Sequence, residues 1–157
     1  MSMSSHRLHV AVIGSQSPDR SAILAALLLD SIARHGWGER VEVVGAGLGS
    51  GAGPLNARAL SAAGIDVTSG PGAGCPDIEA EPATLEESDA VVVATGEDAD
   101  LLISWPEADG KQIFALSDFL GEDGWAILDP RSPMADYVAQ VREGVPLLLR
   151  ALVAEPR

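Results

Sequence analysis

Cysteine, aromatic and basic residues are all scarce in this chain of 157 residues. Its single cysteine, Cys75, excludes an internal disulfide framework and is typical of a reducing compartment. The 10 basic and 23 acidic residues give a net charge of −13, and no basic stripe is present to attract nucleic acid or an anionic membrane surface. No apolar run approaches the roughly 18 residues of a membrane span. We therefore expect a cytoplasmic protein that binds neither nucleic acid nor membrane.

Metal ligands and targeting signals are also missing. The three histidines, His6, His9 and His35, have no metal-ligand spacing, so we expect no metal site and no cofactor. Residues 1–6 are short and polar and lack the apolar core of a signal peptide, so we expect them to be disordered.

The remaining composition is typical of a compact α/β protein: 46% hydrophobic residues, 4% aromatic residues and 17 glycines. The length predicts a single domain over residues 1–157. Strands alternate with helices, which predicts a three-layer, doubly wound, four-stranded parallel sheet with helices on both faces. The predicted strands are Leu8–Ile13, Val41–Val44, Asp89–Ala94 and Gln112–Leu116; the predicted helices are Ser21–Ala33, Pro54–Ala63, Glu79–Glu87, Glu97–Trp105 and Ser132–Ala154.

The segment around which the chain is organised is its first strand, turn and helix. Leu8–Ile13 is the most apolar predicted strand, so we expect it at the centre of the sheet and parallel to Ala90–Ala94. The turn after it lies where a strand gives way to a helix, and backbone N–H groups and the helix dipole favour an anion at such a place. The candidate anion-binding residues are Gly14, Ser15, Gln16, Ser17, Arg20 and Ser21.

This turn resembles the active-site loop of the low-molecular-weight protein tyrosine phosphatases. That family carries Cys-x5-Arg-Ser between its first strand and first helix, and Arg20 and Ser21 match its last two residues. Gly14 stands where the family has its nucleophilic cysteine. Three further stretches resemble family motifs in the same order, and together they imply the family's fold: Pro54–Asp66, Leu116–Phe119 and Ile127–Pro130.

The resemblance implies how the residues of the loop would act. In the family a thiolate attacks phosphorus, the arginine binds two phosphoryl oxygens, and the aspartate of an Asp-Pro pair protonates the leaving oxygen. Arg20 and Asp129 occupy the last two of these positions. Because Gly14 offers no nucleophile, we expect neither cysteine-type turnover nor a covalent phosphoenzyme. The residues alone favour a turn aspartate before a proline for Asp129, and the resemblance makes the general-acid role an equal alternative. For Arg20 the alternative is a pairing with a nearby carboxylate, but the loop context favours an inward guanidinium.

The chain departs from the family at other positions that shape the cleft. Ser17 replaces the asparagine of the loop, and Arg131 follows Pro130 where the family has tyrosines. The family's Met-Asp after the third strand is Thr95-Gly96. Recognition of a phosphotyrosine ring is therefore not expected from the resemblance. Cys75 does not supply the missing nucleophile by the same motif, because the residue six positions after it is Glu81.

Two nucleotide-binding motifs fit the sequence only loosely. Gly47, Gly49 and Ala52 have the spacing G-x-G-x-x-G/A, but a helix and a second strand with an acidic residue do not follow at the required places. In the first loop, Asp19 and Arg20 occupy the Gly-Lys positions of a Walker A motif, where an acidic side chain would repel phosphates. A surface loop and an anion loop are the simpler interpretations.

Three functional hypotheses remain open. The first is a catalytically silent protein that binds a small anion or a protein partner, as a monomer or a homodimer. The second is an enzyme that uses the same cleft for other chemistry through Asp19, Arg20 and Asp129. The third is a weak phosphatase in which water attacks directly. Asp19 has its own hypothesis: its carboxylate either folds into the loop and partly occupies the anion site, or faces solvent at the helix start.

Overall fold

The computed structural model describes residues 8–15, 18–48, 53–54, 58, 61, 64, 74–75, 82–120 and 133–154. Its strands are β1 (Leu8–Gly14), β2 (Val41–Gly47), β3 (Gly53–Pro54), β4 (Gly74–Cys75), β5 (Ala90–Val93) and β6 (Gln112–Ala115). Its α-helices are α1 (Pro18–Arg34), α2 (Ala83–Glu86), α3 (Gly96–Ile103) and α4 (Met134–Ala154), with 3₁₀ turns at Pro106–Ala108 and Leu116–Phe119.

Four of the strands form one parallel sheet in the order β2-β1-β5-β6. β1 lies between two neighbours, with Val10 opposite both Val43 and Ala90. The predicted central position of the first strand and its parallel pairing with the third are confirmed. Strand order changes direction next to β1, so the carboxyl end of β1 lies at the edge where open α/β sheets bind ligands.

Side chains of β1 alternate between two apolar cores, one on each face of the sheet. Val10 and Val12 pack with residues of α1 and α4, among them Leu28 and Leu148. Ala11 and Ile13 pack on the other face with Leu85 of α2 and Leu102 of α3, and all of these are nearly or fully buried. Each such aliphatic side chain contributes about 1.5 to 3 kcal/mol when it is fully buried. The predicted three layers, with helices on both faces, are confirmed.

Helix α1 begins three residues earlier than the sequence predicts, at Pro18 rather than Ser21. A proline fits the first turn of a helix because the N–H it lacks would have no helical partner there. The helix ends at Arg34, one residue after the predicted end at Ala33. The φ of 73° at Gly36 lets the N–H groups of Gly36 and Trp37 bond back to the carbonyls of Ala33 and Ile32. The earlier start brings Asp19, Arg20 and Ser21 into the first helical turn.

Strand β2 continues three residues beyond the predicted end at Val44. The glycines after Val44 favoured a loop, but β1 extends to Gly14 and pairs with Gly45 and Gly47. Ala46 lies opposite Ile13 and is fully buried. Pairing with a neighbouring strand thus overrides the weak strand preference of glycine.

Two short strands were not predicted. Pro54 lies in β3 and pairs with Gly74 of β4 in an antiparallel arrangement, so the predicted helix does not begin at Pro54. Arg58 and Ser61 of that predicted helix are helical, and its other residues lie outside the described part of the chain.

The last helix, α4, packs along α1 and carries a proline within its length, Pro146. A glycine allows its close approach to the 3₁₀ turn at Leu116–Phe119, since a Cβ at Gly144 would lie 2.7 Å from Cδ1 of Leu116. Within the described residues, no helix has both the length and the apolar character needed to cross a membrane.

Candidate anion-binding site

The structure describes four of the six candidate anion-binding residues, and these four flank the loop between β1 and α1. Gly14 ends β1 and Ser15 follows it, while Arg20 and Ser21 lie in the first turn of α1. Ser21 is buried, and Arg20 is partly exposed. Gln16, Ser17 and the candidate general acid Asp129 lie outside the described residues.

Asp19, the second candidate catalytic residue, is also in the first turn of α1 and is partly exposed. An acidic residue at this position is favoured by the positive end of the helix dipole. Whether its carboxylate enters the loop stays a prediction.

Ser15 forms a contact that the sequence did not predict. Its hydroxyl donates a short hydrogen bond to the carboxylate of Asp98, which lies 83 residues further along the chain. Asp98 sits in the first turn of α3, where its backbone N–H donates to the capping hydroxyl of Thr95 over 3.4 Å. Since β5 ends just before Thr95, and β5 is the neighbour of β1, this carboxylate comes to the same edge of the sheet.

Burial makes the protonated form of Asp98 easier to reach than that of an exposed aspartate. The side chain is 7% exposed. Burial raises the pKa of this carboxyl above its ordinary value of 3.8, and the charge of neighbouring Glu97 raises it further. The hydrogen bond from Ser15 lowers the same pKa, but the effect of burial is larger. Buried carboxyl groups with perturbed pKa values are concentrated at functional sites.

Arg20 is held by Tyr137, from the first turns of α4. The Cζ atom of the Arg20 guanidinium lies 4.7 Å from the centre of the Tyr137 ring, within the range of a cation–π contact. The Tyr137 hydroxyl also donates to the backbone carbonyl of Arg20 over 3.0 Å. Burial raises the pKa of the phenol far above its ordinary value, while the charge of Arg20 lowers it and that of Asp98 raises it.

These two contacts lie on opposite sides of Gly14. Ile13 packs on the face of the sheet that α2 and α3 cover, and the alternation of β1 places Ser15 on that same face, next to Asp98 of α3. Gly14 alternates to the other face, which α1 and α4 cover and where Arg20 meets Tyr137. Gly14 therefore lies between the Ser15–Asp98 contact and the Arg20–Tyr137 contact.

Sequence reasoning missed both Asp98 and Tyr137. One sequence feature could have indicated Asp98: it lies at the start of a helix that directly follows a buried strand. Such positions lie at the carboxyl edge of a parallel sheet. No sequence feature indicated a role for Tyr137 at the loop, because an aromatic residue on the apolar face of a long helix is typical of a core position.

The chemistry open to this arrangement is the binding of an anion. The first turn of α1 brings its backbone N–H groups and the positive end of the helix dipole to the end of β1, and the guanidinium of Arg20 adds a positive charge beside them. Within the ranges that the structure describes, no three His, Cys, Asp or Glu side chains form a cluster that would hold a metal ion.

Comparison with known proteins gives no match to a family profile and none to a curated protein sequence. Solved structures do match. A protein tyrosine phosphatase from Entamoeba histolytica, in a product-state mimic, superposes with a TM-score of 0.71 at 16% identity, over 96% of this chain and 98% of the other. The chain has the fold of the low-molecular-weight protein tyrosine phosphatases.

Two further structures with the same fold support this assignment. The low-molecular-weight phosphatase from T. tengcongensis has a TM-score of 0.64 at 18% identity and covers 94% of this chain and 99% of its own. The arginine phosphatase YwlE, whose protein comes from Bacillus subtilis, has a TM-score of 0.68 at 18% identity over 96% and 99%, in a mutant with a phosphorylated active-site serine. The resemblance found in the motifs is thus confirmed for the phosphatase fold.

Proposed function

We propose that this protein binds a small phosphate-like anion at the loop between β1 and α1 without hydrolysing phosphate esters. The observation that carries the proposal is that β1 of a phosphatase fold ends in Gly14, while the first turn of α1 keeps Arg20. Covalent phosphatase chemistry needs a nucleophile at the end of that strand, and glycine has none.

Ser15 is a poor replacement for the missing thiolate. Its hydroxyl is directed to Asp98 on the α3 side of the sheet, whereas Gly14 alternates toward α1 and Arg20. The Ser15 oxygen is therefore engaged by Asp98 rather than directed at a phosphoryl group that Arg20 would hold. The geometry favours binding over group transfer.

Opposed charges limit how tightly the loop binds phosphate. Each hydrogen bond from a guanidinium to a phosphate oxygen contributes about 1.5 to 3 kcal/mol. Against this, unit charges about 4 Å apart repel by roughly 1 to 4 kcal/mol, and Asp98 and Asp19 both lie beside the loop. We expect phosphate to bind weakly, and a singly charged phosphoryl group to bind better than a dianion.

An aryl phosphate assay tests the absence of turnover. The unmodified protein is compared with Gly14→Cys, which restores the thiol, and with Gly14→Ala, which adds a carbon without sulfur. We expect no release of aryl alcohol at an enzyme-like rate, about one per second or faster, from the unmodified protein or from Gly14→Ala. Turnover at such a rate by the unmodified protein would refute the proposal. Titration calorimetry with inorganic phosphate then measures binding.

A second candidate, weak hydrolysis by direct attack of water, is favoured by Asp98. A carboxylate with a raised pKa is a better general base, and Asp98 lies at the loop with its pKa raised by burial. In that reaction Asp98 takes a proton from water, the water oxygen bonds to phosphorus, and the bond to the leaving oxygen breaks. Slow hydrolysis that disappears in Asp98→Asn but persists in Asp100→Asn would favour this candidate.

A further inference from the structure

Tyr137 touches Arg20 through two different groups. The ring face meets the guanidinium, and the hydroxyl meets the backbone carbonyl. The tyrosine itself has little freedom to move, because it is 1% exposed and belongs to the core between α1, α4 and β1. Both the side chain and the backbone of Arg20 are thus held against a fixed aromatic residue on another helix.

We propose that Tyr137 is a positioning residue that holds the Arg20 guanidinium at the anion-binding loop, an inference that rests on the proposed function. A long arginine side chain loses rotamer entropy when it binds a ligand. A contact that already restricts it reduces what is lost on binding, which is the effect of preorganisation.

The kind of contact matters as much as its presence. A cation–π contact acts through the positive charge and consumes none of the five N–H donors of a guanidinium, whereas a carboxylate partner would take two of them. The ring therefore restricts the Arg20 side chain without itself accepting one of its N–H hydrogen bonds. The hydroxyl acts on the backbone of the same helical turn, whose N–H groups form the other half of the site.

Three variants separate the ring, the hydroxyl and the core. Tyr137→Phe removes the hydroxyl and keeps the ring, and Tyr137→Leu removes both while remaining apolar. Val141→Ala is the matched control, because Val141 lies one turn further along the same buried face of α4 and is fully buried, yet has no role in the loop. All three are expected to lower the melting temperature.

Phosphate affinity, measured by calorimetry, distinguishes positioning from packing. We expect affinity to fall about threefold in Tyr137→Phe and about tenfold or more in Tyr137→Leu, with no change in Val141→Ala. The partial retention of affinity by phenylalanine would assign the larger effect to the ring. Equal affinities in Tyr137→Leu, Val141→Ala and the unmodified protein would overturn the inference and leave the anion-binding function intact.

A spectroscopic measurement makes the contact visible without a ligand. Tyr137 is the only tyrosine in the chain, so selective ¹³C labelling of tyrosine gives one set of ring signals. We expect those signals to shift in Arg20→Ala, and again in the unmodified protein when phosphate is added. Unmoved signals in Arg20→Ala would overturn the inference. If the signals move in Arg20→Ala but the unmodified protein binds no phosphate, the contact is real, and the proposed function fails together with the role given to Tyr137.

Discussion

The two polar contacts on either side of Gly14, Ser15 with Asp98 and Tyr137 with Arg20, differ in whether the charged group is buried. On the α3 side, the buried group is the carboxyl of Asp98, which accepts a hydrogen bond from the Ser15 hydroxyl. On the α1 side, Tyr137 is buried but uncharged, and the cation that it holds stays partly exposed. A buried carboxylate is expensive unless it is paired or neutral, whereas an arginine over an aromatic ring keeps its charge and its contact with water.

The difference indicates which side of the loop can change its charge with pH. The guanidinium stays charged at every relevant pH. The Asp98 carboxyl, with its raised pKa, changes charge closer to neutrality than an ordinary aspartate does. We therefore expect the Arg20 side to attract an anion and the Asp98 side, when it is ionised, to repel it.

Removing the cation should have the largest effect. Arg20→Ala deletes the only side-chain charge that we assign to phosphate binding, and phosphate affinity should fall at least about tenfold. Arg34→Ala is the matched control, since Arg34 lies on the same helix in an exposed ion pair with Asp30 at 2.9 Å. Calorimetry showing the same loss in both variants would mean that the loop does not bind through Arg20.

Removing the buried acid should have the opposite and smaller effect. Asp98→Asn keeps an oxygen that can accept from Ser15 but deletes the negative charge, so phosphate affinity at pH 7 should rise severalfold, about fivefold. Asp100→Asn, at an exposed position on the same helix, should leave affinity nearly unchanged. Unchanged affinity in Asp98→Asn would mean that the acidic side does not influence the loop.

The same substitution should change how stability depends on pH. Because the pKa of Asp98 is raised in the folded protein, the protonated group favours folding below 3.8, and that contribution is lost as pH rises from 3.8 through the raised value. The melting temperature of Asp98→Asn relative to the unmodified protein should therefore increase with pH over this window. A difference that shrinks as pH rises would contradict the raised pKa.

Asp19 should influence phosphate less than Asp98 does. Asp19 is partly exposed, so water and salt screen its charge, whereas Asp98 is buried. Asp19→Asn should tighten phosphate about twofold in low salt, and the gain should disappear as salt is added. An effect larger than that of Asp98→Asn would show instead that the Asp19 carboxylate occupies the loop.

The smallest effect on binding is expected for the hydroxyl of Ser15. Ser15→Ala removes the hydrogen bond that lowers the pKa of Asp98, so that pKa should rise further, while phosphate affinity at pH 7 changes less than about twofold. A ¹³C NMR titration of the aspartate carboxyl carbons measures the shift. Ser104→Ala, at the far end of α3, is the control. A lowered pKa in Ser15→Ala would contradict the contact.

The sequence by itself determined the main strands and helices of the parallel sheet and the resemblance of the first turn to a phosphatase loop. The apolar period of Leu8–Ile13 and of the helix after it is local, so the strand, the turn and the helix follow from neighbouring residues. The alternation of strands and helices then implies parallel pairing and three layers. The comparison of Gly14 with the cysteine of the phosphatase motif likewise rests on the sequence alone, and it stays a prediction.

Tertiary structure decided what surrounds that position. Ser15 meets Asp98 across 83 residues and Arg20 meets Tyr137 across 117, distances over which no local pattern predicts a pairing. Pairing between distant segments also decided two local features. β2 includes Gly45 and Gly47 because β1 pairs with them, and Pro54 is in a strand because it pairs with Gly74. Local propensity sets which elements form, but the order of strands and the packing of α3 and α4 determine which side chains share the loop, because these depend on contacts between segments far apart in the chain.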